Sequence, residues 1–66
     1  MILKQGATYR FTQNGTVRTV IVEELVVFMA DGRLQATAKY REPAFNMSTT
    51  ESAESFIKLN PEIIYY

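Results

Sequence analysis

Sixty-six residues, 47% hydrophobic and 12% aromatic, make one small domain that is too apolar for a disordered chain. The chain has no cysteine and no histidine. That excludes a disulfide framework, a thiolate zinc site and the usual general base near neutral pH. A formal net charge of zero leaves no overall attraction to nucleic acid or anionic lipid.

Met1-Ile2-Leu3-Lys4-Gln5-Gly6 is interrupted by polar residues before an apolar h-region develops, so no secretory signal is read there. The longest apolar run, Leu25 to Ala30, is too short to cross a bilayer. A cytoplasmic protein without a membrane segment is the expectation. In that setting the glycosylation sequons Asn14-Gly15-Thr16 and Asn46-Met47-Ser48 are chance matches.

From Ala7 to Thr12 the chain alternates, with Tyr9 and Phe11 on one face and Thr8, Arg10 and Thr12 on the other, the period of a half-buried strand. Gln13-Asn14-Gly15 then reads as a tight turn, either a two-residue Asn-Gly loop or a three-residue loop with Gly15 at a G1 bulge. The two-residue loop sets Phe11 opposite Arg18. The three-residue loop sets Phe11 opposite Val17 and Ala7 opposite Ile21, and is preferred for those apolar pairs. Its cost is Arg10 facing Arg18, which is destabilising unless an anion or a carboxylate lies between them.

Thr16 to Val22 is dense in β-branched residues and extended. The run continues without Gly or Pro to Met29, well beyond the usual strand of about 5–6 residues, so a bend, bulge or tight connection is predicted near Glu23-Glu24. Asp31-Gly32 between two hydrophobic runs is the strongest turn signal in the chain. A two-residue hairpin there pairs Met29 with Leu34, Val27 with Ala36 and Leu25 with Ala38 on an apolar face. Phe28, Val26 and Glu24 meet Gln35, Thr37 and Lys39 on the other. The strand ends at Glu42-Pro43, where proline removes a ladder donor.

Ala44 to Met47 reads as a connection. Ser48 and Glu51 have capping-box spacing, with Thr49 and Thr50 as alternative caps. A short helix is predicted from about Thr50 to Leu59. Ala53, Phe56 and Ile57 share one face, Glu54 and Lys58 form an i,i+4 pair, and Asn60-Pro61 stops it. Glu62-Ile63-Ile64-Tyr65-Tyr66 reads as a final strand. The order of four strands, a helix and a strand predicts a mainly β fold. It suits a small SH3-like barrel or a strongly curved antiparallel sheet, with one short helix near the C-terminus.

Catalysis finds little support. Glu23 and Glu24 are neighbours on a strand and point to opposite faces, while Glu51 and Glu54 are ordinary solvated helix positions. Ser48, Thr49 and Thr50 have no histidine to activate them, and Asp31 is explained by its turn. No enzyme, metal, cofactor or small-molecule substrate is expected. Two surfaces remain. Val20, Val22, Val26 and Phe28 are placed opposite Leu25, Val27 and Met29 on one continuous strand, and Ile63, Ile64, Tyr65 and Tyr66 form an apolar terminal edge. More apolar surface results than one thin sheet and one helix can cover. The leading expectation is therefore a small non-enzymatic binding protein acting through a protein partner or a homodimer, a profile that suits an accessory or inhibitory protein of a phage or other mobile element. The alternative is single-stranded nucleic-acid binding by Arg10, Arg18, Lys39 and Arg41, with Tyr9 and Tyr40 as stacking platforms.

Overall fold

In the computed structural model, which describes residues 3–66, the chain forms a five-stranded antiparallel sheet with one short helix. Met1 and Ile2, the start of the stretch read for a signal, lie outside the described residues. The strands are β1 (Thr8–Gln13), β2 (Thr16–Ala30), β3 (Arg33–Glu42), β4 (Met47–Ser52) and β5 (Glu62–Tyr65), with α1 (Ala53–Ile57) between the last two. Their spatial order is β4-β3-β2-β1-β5. The mainly β class with a single helix after four strands is as expected. The sheet order ends at β4 on one side and β5 on the other, with no pairing between them, so the description that applies is an antiparallel sheet.

The β1–β2 and β2–β3 hairpins each turn on two residues. Asp31 and Gly32 have φ of 52° and 72°, and the central hairpin has the predicted register, from Ala30 opposite Arg33 to Glu24 opposite Lys39. Asn14 and Gly15 have φ of 51° and 78°, the left-handed pair that a type I′ turn requires. The preferred three-residue loop is thereby corrected. Phe11 faces Arg18, Tyr9 faces Val20 and Arg10 faces Thr19, so the two arginines do not oppose each other. An arginine on the helix-side face is tolerated because its head reaches polar partners at the sheet's end. Nε and Nη2 donate to Glu42 Oε2 and Oε1 at 3.2 and 2.7 Å, and Nη1 donates to Gln13 Oε1 at 2.6 Å. The guanidinium also lies 5.3 Å from the Phe11 ring centroid.

The predicted irregularity in the long strand is a bulge at Glu23, between the pairs Val22–Tyr40 and Glu24–Lys39. One extra residue reverses the alternation. Before it, even-numbered Val20 and Val22 face the helix. After it, odd-numbered Leu25, Val27 and Met29 do. Val20 and Val22 therefore share a face with Leu25 rather than opposing it, which corrects their expected placement.

The fourth strand is also not the one anticipated. β2 is continuous, and Met47–Ser52, read as the end of a connection, a helix cap and the first helical residues from Thr50, pairs with β3 from Thr37 to Glu42. The open β3 edge gives this Thr-rich stretch a backbone partner, and Tyr40 Oη donates to Glu51 Oε1 at 3.1 Å. Glu51 thus leaves the capping role. Ser52 caps the shortened helix instead, its Oγ accepting from Ser55 N at 3.1 Å. Glu54 and Lys58 do pair, at 3.7 Å. At the other end Asn60 takes φ 54° and stops the helix ahead of Pro61.

The core lies between α1 and the sheet. Phe56 is fully buried. Its ring meets Tyr9 and Phe11 edge-on at 5.9 and 5.7 Å, and Tyr40 at 5.0 Å. Ala7, Val20 and Val22 complete the cluster, with Leu3, Leu25 and Leu59 packed at its margin.

Candidate functional site

β1 has six residues against the fifteen of β2, and backbone bonding on its side, extended by Ala7 and Gly6, reaches only Val22. β4 reaches only Thr37 on β3. Beyond those limits the two central strands continue alone, as a two-stranded arm tipped by Asp31-Gly32, and the molecule measures 36 × 21 × 20 Å. On the arm's helix-side face Val27, Met29 and Leu34 are 62%, 66% and 72% exposed, and on the opposite face Val26 and Phe28 are 41% and 39% exposed. The same hairpin pattern that buries Leu25 against Ala38 thus runs past the helix into solvent.

Beside this arm lies a cleft of about 510 Å³. β3 from Arg33 to Ala36 forms one wall, and Ala53, Ile57 and the Glu54–Lys58 pair of α1 form the other. It exists because β4 ends at Ser52 and the chain turns into the helix, leaving the outer part of β3 without a neighbour.

The expected interaction residues divide. Val20 and Val22 are 0% exposed and belong to the core, since the bulge turns them toward Phe56. Val26 and Phe28 stand on the arm. Ile63, Ile64, Tyr65 and Tyr66 are exposed at the other end of the sheet, where β5 forms its edge and Lys4 Nζ lies 4.4 Å from the Tyr66 ring centroid. Val27, Met29 and Leu34, read as part of the hairpin's apolar face, are the most open part of the arm. The difference in length between β1 and β2 was the signal for this, because a short first strand cannot flank the whole of a long second one.

The residues of the alternative basic and aromatic surface divide between the two faces of the sheet. Tyr9 and Tyr40 are buried. Tyr9 Oη accepts from Lys4 N at 2.9 Å, and Tyr40 donates to Glu51, so neither ring offers a platform for a base. Burial, followed by the negative charge of Glu51, pushes the Tyr40 phenol up to about 12. Arg18 lies on the helix-side face and Arg10, Lys39 and Arg41 on the other. Arg10 pairs with Glu62 at 3.3 Å and Arg41 with Glu23 at 3.4 Å, while Lys39 faces Glu24 across the hairpin.

The Arg18–Glu42 pair is the one largely buried ion pair among the described residues. Its bidentate hydrogen bonding holds the Glu42 carboxyl below the usual carboxylate range. The arrangement joins the ends of β2 and β3, with both charged partners satisfied by protein groups. No group of three or more metal-ligating side chains forms among the described residues, and no helix there is long and apolar enough to cross a membrane. Compared with protein-family models, with curated proteins and with solved structures, the chain matches none of them.

Proposed function

We propose that this chain is a small non-enzymatic interaction protein whose principal docking surface is the β2–β3 arm. The arm itself carries the reading. A two-stranded ribbon with apolar side chains on both faces is marginal alone in water, and exposed apolar surface of this kind marks a site that another surface covers. The terminal strand, with Ile63, Ile64, Tyr65 and Tyr66, supplies a second apolar edge suited to strand addition. A cytoplasmic setting and an accessory or inhibitory role in a mobile element fit this reading.

Fluorescence of an environment-sensitive hydrophobic dye tests it, over a protein concentration series. The wild-type chain is expected to enhance the dye at low concentration, and Met29→Lys with Leu34→Lys is expected to remove most of the enhancement while far-UV circular dichroism stays unchanged. Equal dye binding by wild type and variant at every concentration would show that the arm is not the surface.

A further inference from the structure

Besides glycines, Asn14, Asp31, Asn46 and Asn60 take positive φ. Each carries a side-chain carbonyl that the next residue's backbone nitrogen could attack, and the sequence that follows decides whether it can. Asn60 precedes Pro61, which has no N–H to give up. Asn46 precedes Met47, the first residue of β4, which is paired with Glu42 in the ladder. Asp31 precedes a glycine, but its carboxylate repels a nucleophile and its oxygen leaves poorly. Asn14 alone combines a following glycine with an amide whose nitrogen can leave as ammonia.

The turn's register frees the nucleophile. In a three-residue loop with a G1 bulge, Gly15 N–H would donate to the Thr12 carbonyl. In the two-residue loop the last ladder pair is Gln13–Thr16, and Gly15 N–H has no backbone acceptor among the described residues. The conformation helps as well. A φ of 51° at Asn14 also suits the first central position of a type II′ turn, near +60°. Rotating the single peptide unit between Asn14 and Gly15 converts type I′ into type II′, keeps the hairpin closed, and swings the Gly15 nitrogen round to the Asn14 side chain. Glycine accepts the change in the sign of φ that this requires. Both residues are exposed, and a Cβ placed on Gly15 would meet no atom within 4 Å, so nothing packed there blocks the swing.

We propose that Asn14 is a site of spontaneous deamidation through a succinimide. Gly15 N loses its proton to solvent base and attacks Asn14 Cγ. The N–Cγ bond forms, the Cγ–Nδ2 bond breaks, and Nδ2 takes a proton from water and leaves as ammonia. Water then opens the ring. Cleavage at Cγ–N restores the backbone with aspartate at 14, whereas cleavage at the backbone C–N bond leaves an isoaspartyl linkage through the former side chain. Either product adds one negative charge to a chain of zero formal net charge. The isoaspartyl form also inserts a methylene into a two-residue loop, and so loosens the strand end where Gln13 Oε1 accepts from Arg18 Nη1. The site lies at the end of β2 remote from the arm, and the proposal stands apart from the arm's role in docking.

Incubating the folded protein at 37 °C and mapping its peptides by mass spectrometry tests the proposal, with circular dichroism confirming the fold. The amide-to-acid mass gain is expected at Asn14, as separable aspartyl and isoaspartyl peptides, several-fold faster at pH 8 than at pH 6. Asn46 and Asn60 should stay intact over the same time. Asn14→Asp, which keeps an Asp-Gly turn like that at 31–32, should lose the mass gain. An intact Asn14 in the folded protein, while the urea-unfolded chain converts, would show that the turn protects it and overturn the proposal. Conversion to aspartate with no isoaspartate would overturn the succinimide step.

Discussion

Glu42 and Tyr40 are successive residues on the buried face of β3, but the fold favours the ionised form of one and the neutral form of the other. Arg18 stabilises the ionised form of Glu42, so the folded carboxyl binds its proton less readily than the unfolded one. Its contribution is present above the unfolded value of about 4.3 and is lost as the pH falls through the lower folded value. Glu42→Gln should cost about 1.5–3 kcal/mol at pH 7 and flatten the acid limb of a stability–pH curve measured by urea unfolding. For Tyr40 the sign is reversed. Its phenol is raised from about 10 to about 12, so stability is full below the unfolded value and declines as the pH rises between the two. Tyr40→Phe should remove that alkaline decline, at a cost of about 0.5–1.5 kcal/mol near neutral pH for the lost bond to Glu51.

At the scale of elements, α1 has only five residues, too few to persist on propensity alone, and it stays because Phe56 sits among three rings. Phe56→Ala should cost about 3–5 kcal/mol. Total stability for a chain of this length is roughly 3–10 kcal/mol, so thermal unfolding should show a variant that is largely unfolded or close to it at 37 °C. How far each element was legible depended on how far away its partners lay. The Asp31-Gly32 hairpin was readable because turn chemistry and facing pairs are local. The Asn14-Gly15 turn carries an equally local signal, but apolar pairing favours Phe11 opposite Val17, and what makes Arg18 acceptable opposite Phe11 is Glu42, 24 residues away. Met47–Ser52 resembled a cap through Ser48 and Glu51, and only the edge of β3, remote in sequence, makes it a strand. The bend at Glu23-Glu24 is legible from strand length alone, whereas which valines it buries depends on the register with β3.

At the scale of the molecule, the sheet has a well-covered body and an uncovered arm, and every strand that could flank the arm stops short of it. That is why apolar excess was legible in the sequence while its location was not. Composition records how much hydrophobic surface there is, whereas strand lengths decide where covering ends. The bulge at Glu23 joins the two parts and acts as a half-turn coupling between them. The same chain paired as a regular ladder, with Glu23 taken into the register, would keep its composition and its body, yet would turn the arm part of β2 over and present Val26 and Phe28 to the cleft side. The bulge therefore sets the polarity of the recognition surface independently of the side chains displayed on it.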